Sequence, residues 1–110
     1  MKILSEASFK EKISNNSGKV VVQMSTEWCG PCKTMKQMMS SLSSTLDGIS
    51  LNYLDIGQCS KEFTSVFNIK SVPTTVFFDN GRILYTHTGV PGTKEALSEL
   101  ITNTYNTQGE

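Results

Sequence analysis

The stretch Val20-Val21-Val22-Gln23-Met24-Ser25-Thr26-Glu27-Trp28-Cys29-Gly30-Pro31-Cys32 decides how the rest of the chain is read. Val20 to Met24 is β-branched and apolar on both faces except at Gln23, as a central strand covered on both sides would be. Beyond the cysteines, Met35, Met38, Met39, Leu42 and Leu46 recur at helical spacing and predict a helix with one buried face. The Ser-rich stretch Ser40–Ser44 falls inside that period and reads as helix. The C-x-x-C pair therefore lies between a strand and a helix, with Cys29 at or near the helix N-terminus and Cys32 one turn inside. Unpaired backbone N–H groups and the helix dipole stabilise an anion there. A thiolate is such an anion, and it is the nucleophilic form of cysteine. Pro31 suits the first helical turn. Gly30 places no side chain over the sulfur, and the spacing lets Cys32 reach Cys29 and release a mixed disulfide.

Lys2–Leu4 reads as a short strand, and Ser5 as the cap of a helix carrying Phe9 and Ile13. Asn15-Asn16-Ser17-Gly18 ends that helix. Ile49–Ile56 is a second apolar strand. A short helix follows, with Phe63, Val66 and Phe67 on one side and Cys59 near its start. Val76-Phe77-Phe78 and Ile83-Leu84-Tyr85 flank Asp79-Asn80-Gly81-Arg82, a strong hairpin signal. Thr93 caps a last helix carrying Leu97, Leu100 and Ile101, and Asn106–Glu110 read as frayed. The order β-α-β-α-β-α-β-β-α predicts an α/β fold in one domain over residues 1–110. Its mixed, mostly parallel sheet of about five strands would be flanked by four helices on both faces.

Ten basic and ten acidic side chains give zero net charge, without the basic excess of a nucleic-acid binder. No apolar run approaches the roughly 18 residues of a membrane span. Met1 to Glu6 turns polar at once, unlike a signal peptide, so a cytoplasmic protein is expected. Three cysteines do not make a structural disulfide framework, so the pair reads as redox chemistry or metal ligation. A C-x-x-C is also half a zinc site, but zinc wants four ligands. Only Cys59 and His87 remain as candidates, without knuckle-like spacing, so the redox reading is preferred and no metal or cofactor is expected.

Trp28-Cys29-Gly30-Pro31-Cys32-Lys33 resembles the active-site motif of the thioredoxin family. Val72-Pro73-Thr74, ahead of an apolar strand, resembles the family's cis-proline segment, and Gly89 matches a glycine of its substrate groove. The resemblance covers essentially the whole chain. It implies the thioredoxin fold and a monomeric thiol–disulfide oxidoreductase that reduces protein disulfides. Cys29 would attack and Cys32 resolve, leaving a Cys29–Cys32 disulfide. A thioredoxin reductase or equivalent electron donor would restore the dithiol. Trp28, Gly30, Pro31, Val72, Pro73, Gly89 and Val90 would line the substrate groove. Local sequence alone favours a trans Pro73 that begins its strand; the resemblance implies cis.

The chain departs from the family at several positions. Gln23 stands where the family usually has a buried aspartate thought to move the proton of the resolving thiol, and Gln cannot take that role. Tyr53 is placed where a neighbouring strand usually carries lysine. Losing both charges together is coherent, because an unpaired buried charge is costly. Glu27 is an alternative base but reads as a solvated charge. Gln37 replaces a kinking proline, so the helix is expected to run straighter. Ser25 replaces the first tryptophan of a usual pair. Cys59 reads as a small, partly buried residue rather than a regulatory or dimer-forming thiol. His87 reads as ordinary, the methionines as core, and Lys33 and Lys36 as exposed, solvated lysines rather than as charges that steer partners. Two rival functions stand beside the reductase: an oxidase or isomerase on the same fold, and a binding module with incidental redox chemistry.

Overall fold

A computed structural model describes residues 1–15 and 18–106. These residues form β1 (Lys2–Leu4), α1 (Glu6–Ser14), β2 (Lys19–Ser25), α2 (Gly30–Leu42) and β3 (Ile49–Asp55). A 3₁₀ turn (Ile56–Gln58), α3 (Lys61–Val66), β4 (Thr74–Asp79), β5 (Arg82–Thr88) and α4 (Lys94–Asn106) follow. The strands lie in one sheet in the order β1-β3-β2-β4-β5, which puts the Val-rich β2 at its centre. The pairs β1·β3 and β2·β3 are parallel, whereas β2·β4 and β4·β5 are antiparallel. The sheet is thus mixed as predicted but evenly divided, not mostly parallel. The hairpin that closes the sheet reverses β4 against β2 as well as against β5.

Two cores cover the two faces of the sheet. Under α1 and α3, Phe9 meets Phe63 edge-on at 5.2 Å and Phe78 at 5.7 Å, packed with Val20, Val22 and Met24. Under α2 and α4, Met35, Met39, Leu42, Leu97 and Ile101 pack on Val21, Leu51 and Phe77. Ser5 caps α1 in a reciprocal box with Ser8, and Thr93 Oγ1 accepts from the Ala96 amide at the start of α4. At the hairpin, Asn80 and Gly81 both take positive φ (50° and 85°), as a two-residue turn between twisted strands requires.

Five local expectations are corrected. α2 stops at Leu42, so Ser43, Ser44 and Leu46 lie beyond the helix, although Leu46 still packs against its core. The hydroxyls of this stretch compete with the helix: Ser43 Oγ donates to the Ser40 carbonyl and Thr45 Oγ1 to that of Leu42. β3 ends at Asp55, because the Asp55 carboxylate accepts from the Gly57 amide and turns the chain, which puts Ile56 in the 3₁₀ turn. Val66 is 77% exposed. α3 directs Phe63 and Phe67 toward Phe9, and Val66 falls on the other side of its axis. Cys59 closes the 3₁₀ turn, and Ser60 is the cap that begins α3. Asn16 and Ser17 of the predicted helix end, and residues 107–110 of the predicted frayed tail, lie outside the described residues. Asn106, the first residue of that tail, is the last of α4.

At the end of the sheet away from the cysteines, the Tyr105 hydroxyl of α4 sits 2.8 Å from the Phe78 carbonyl and 3.1 Å from that of Val20. Its single proton serves both acceptors, so one side chain fastens α4 to β4 and β2. Burial pushes this phenol well above the ordinary tyrosine range. A raised folded-state value in an acid means that the stability it contributes is complete below the unfolded value near 10 and is lost as pH climbs beyond it. Tyr105→Phe should therefore lower urea-unfolding stability by about 1–2 kcal/mol at neutral pH. It should also flatten the fall in stability above roughly pH 10. An unaltered alkaline slope would assign that fall to other groups.

Candidate active site

β2 ends at Ser25, and the chain turns through Thr26, Glu27 and Trp28 before α2 begins at Gly30. Cys29 is the cap residue, with extended backbone (φ −102°, ψ 113°) and a side chain turned back over the first turn. The Cys32 amide donates to Cys29 Sγ at 3.1 Å. Pro31 occupies the first turn, where a missing N–H costs nothing. Cys29 and Cys32 form a disulfide with Cα atoms 5.2 Å apart. The two sulfurs are not equivalent toward solvent: Cys29 is half-buried, whereas Cys32 is only 1% exposed. Trp28 stands beside them 88% exposed, and the space where a Gly30 side chain would begin is open.

Two further segments gather at the cysteine loop, the Val72–Pro73 segment directly and the β5–α4 connection through it. The Val72–Pro73 peptide is cis, as the resemblance implied and local sequence did not. The Val72 carbonyl oxygen lies 3.8 Å from Cys29 Sγ. Gly89, with φ +96°, donates its amide to the Pro73 carbonyl at 2.9 Å, which ties the β5–α4 connection to the proline segment. That backbone conformation suits glycine. Val90 is half-buried against the α2–α4 core. Cys29, Val72, Pro73 and Gly89, far apart in sequence, are thus joined by direct contacts.

Behind the disulfide lies a neutral cluster of buried polar side chains. Gln23 is fully buried. Its Nε2 donates to the Cys32 carbonyl at 2.9 Å and to Ser25 Oγ at 2.8 Å. The carbonyl acceptor fixes the orientation of the amide, since a flipped group would set oxygen against oxygen. Gln23 Oε1 has no hydrogen-bond partner among the described residues. In register beside Gln23 stand Tyr53 on β3 and Thr75 on β4, both buried. Tyr53 is thus the direct neighbour of Gln23 on β3. Burial pushes its phenol up, and the charges of Asp55 and Glu27 add to this.

Lys36 is not the freely exposed lysine that the helical pattern suggests. It is half-buried, and its Nζ lies 4.4 Å from the centre of the Tyr53 ring. Lys33 is exposed, Glu27 is exposed, and Gln37 lies on the outer face of an unbroken α2. Cys59 is half-buried against the α1–α3 core, with Sγ 3.5 Å from the Asp55 carbonyl oxygen, and burial pushes its thiol up. It behaves as a packing residue. His87 lies on β5 with its ring 6.2 Å from that of Tyr85. Among the described residues no three His, Cys, Asp or Glu side chains gather into a metal-binding group, and no helix is long and apolar enough to cross a membrane.

The family model named Thioredoxin matches residues 1–103. The thioredoxin of Chlamydia muridarum is 32% identical over 101 residues, covering 92% of this chain and 95% of that protein. The thioredoxin of Oryctolagus cuniculus is 32% identical over 100 residues, covering 90% and 92%. A solved structure of Plasmodium falciparum thioredoxin superposes with a TM-score of 0.81 at 34% identity, covering 94% of this chain and 98% of that one. A shared fold, a sequence match over about nine-tenths of the chain and a disulfide where α2 begins together place this chain in the thioredoxin family, as a thiol–disulfide oxidoreductase.

Proposed function

We propose that this oxidoreductase works as a general reductant of protein disulfides, with Cys29 as nucleophile and Cys32 as resolving thiol. The observation that carries the reading is the asymmetry of the pair. The Cys32 amide and the α2 N-terminus are directed at the half-exposed Cys29 sulfur, while Cys32 is sealed beneath it. The Cys29 thiolate attacks a substrate disulfide. The substrate S–S bond breaks, a mixed disulfide forms, and the first substrate sulfur leaves and is protonated. Cys32 then attacks Cys29 Sγ, the Cys29–Cys32 bond forms, and the second substrate sulfur leaves as a thiolate that takes up a proton. Two electrons pass from the dithiol to the substrate, and a reductase partner, which the family implies, returns them.

Trp28, Gly30, Pro31, Val72, Pro73, Gly89 and Val90 form the groove for the substrate chain, with the Val72 carbonyl beside Cys29 as a backbone acceptor. The protein acts as a cytoplasmic monomer, one domain over residues 1–110. The balanced charge supports a role away from nucleic acid and membrane surfaces. Gln23 replaces a proton-moving carboxylate. Cys32 accordingly gives its proton to water or to the departing substrate thiolate. The neutral pocket of Gln23 and Tyr53 also favours a second reading, a binding module in which exchange is incidental. A Cys29→Ser, Cys32→Ser double variant that keeps its cellular role would select that one.

Cys29→Ser should abolish turnover of a protein disulfide, and Cys32→Ser should attack once and remain as a mixed disulfide, detected as a mass adduct that dithiothreitol removes. Full turnover by Cys29→Ser would refute the assignment. Gln23→Asp should add an ionisation limb to the pH–rate profile of disulfide reduction. A profile superimposable on that of the parent would show that this position does not govern the proton of Cys32.

A further inference from the structure

Lys36 and the ring beneath it carry an inference about how Cys32 becomes a thiolate, one that rests on the reductase reading above. Cys32 and Lys36 are four residues apart on α2, so they are neighbours on one helix face, with Cβ atoms about 5–6 Å apart. The Cys32 carbonyl is held by Gln23 on β2. Gln23 is the direct register partner of Tyr53 on β3. The Tyr53 ring in turn carries the Lys36 ammonium at 4.4 Å. The four residues thus close a circuit, Cys32 to Gln23 to Tyr53 to Lys36 and back along the helix.

Within that circuit Lys36 alone is charged. Gln23 is neutral at any pH. The Tyr53 phenol is held in its protonated form by burial. No carboxylate of the described residues lies within ion-pair distance of Lys36. Asp55 and Glu27 are the nearest acids facing Tyr53 from β3 and the β2–α2 loop; Asp55 is only half-buried and accepts from the Gly57 amide, and Glu27 is exposed. Lys33 is exposed, and β4 contributes the uncharged Thr75. A cation next to a thiol favours its ionised form, and a carboxylate in the same place would oppose it. The buried aromatic face holds the ammonium in position, since cation–π attraction grows when the pair is withdrawn from water.

We propose that Lys36, held over Tyr53, is a positioning residue that favours the Cys32 thiolate in the step releasing the substrate, so that resolution proceeds by electrostatic stabilisation and needs no buried base. The Cys32 proton goes to water or to the departing substrate thiolate, and Lys36 itself makes and breaks no bond. Tyr53 serves as the platform for the cation and not as an acid.

The test follows the thiolate absorbance of Cys32 against pH in the full chain carrying Cys29→Ser and Cys59→Ser, which leaves one thiol. Adding Lys36→Met, which keeps the apolar stem, should lower the thiolate fraction at a fixed pH below the midpoint by about fivefold to tenfold. Lys36→Arg, which also stacks on aromatic rings, should keep it within about twofold. Tyr53→Phe should leave the titration in place, because it preserves the face. Circular dichroism of each variant separates a shifted titration from a lost fold. A Lys36→Met titration coinciding with that of its parent would overturn the proposal, as would a titration that moves in Tyr53→Phe and not in Lys36→Met. The cysteine-intact chain is assayed alongside for disulfide reduction. If it turns over while Lys36→Met shifts nothing, only the role of Lys36 falls. If it does not turn over, the reductase reading falls, whatever the titrations show.

Discussion

The Cys32 amide that donates to Cys29 Sγ at 3.1 Å is the contact on which the site depends. It exists only if Cys29 caps α2, and Cys29 caps α2 only if β2 ends at Ser25 and releases the chain there. The central placement of β2, between β3 and β4, secures the approach. Val20, Val22 and Met24 bury one face of this strand and Val21 the other, so the strand cannot slip by one residue without inverting both cores. Gln23 adds a cross-tie from the same strand to the first turn of α2, through the Cys32 carbonyl. The reactive pair is thereby held by backbone and strand register rather than by a mobile loop.

The buried side chains beside the pair are neutral without being apolar. A buried carboxylate and a buried ammonium need each other, since either alone is costly in a low-dielectric interior. Gln23 and Tyr53 avoid that dependence, and both Gln23 N–H groups find acceptors. A positive charge lies nearby on α2, where the Lys36 ammonium stands over the Tyr53 ring. The α2 N-terminus and, in the proposal above, the Lys36 cation would both favour thiolates.

Most of the fold could be read from local pattern. The Val-rich strand, the methionine period, the Asn80-Gly81 turn and the Ser5 and Thr93 caps each carry their own physical signal, and each reappears in the structure. What escaped depends on partners distant in sequence. Strand direction is set by which strand β4 finds, and its own residues do not encode that. The end of α2 was hidden because serine side chains that cap and serine side chains that face water look alike in a periodic run. The cis form of Pro73 was visible only through family resemblance. Lys36 differs from its expectation for a related reason: a lysine stem can lie along buried surface while its position in the helical period still reads as exposed. The contact between Cys29, Val72 and Gly89 likewise joins three segments that no spacing rule connects.

The central claim is that this pair, with a neutral pocket below it, is poised as a reductant. The reduction potential of Cys29–Cys32, obtained by equilibration against glutathione and dithiothreitol buffers, tests it most directly. The account predicts a value close to the thioredoxin figure of about −270 mV. A value of about −120 to −180 mV, where oxidising relatives lie, would contradict it and would assign the protein to disulfide formation or isomerisation.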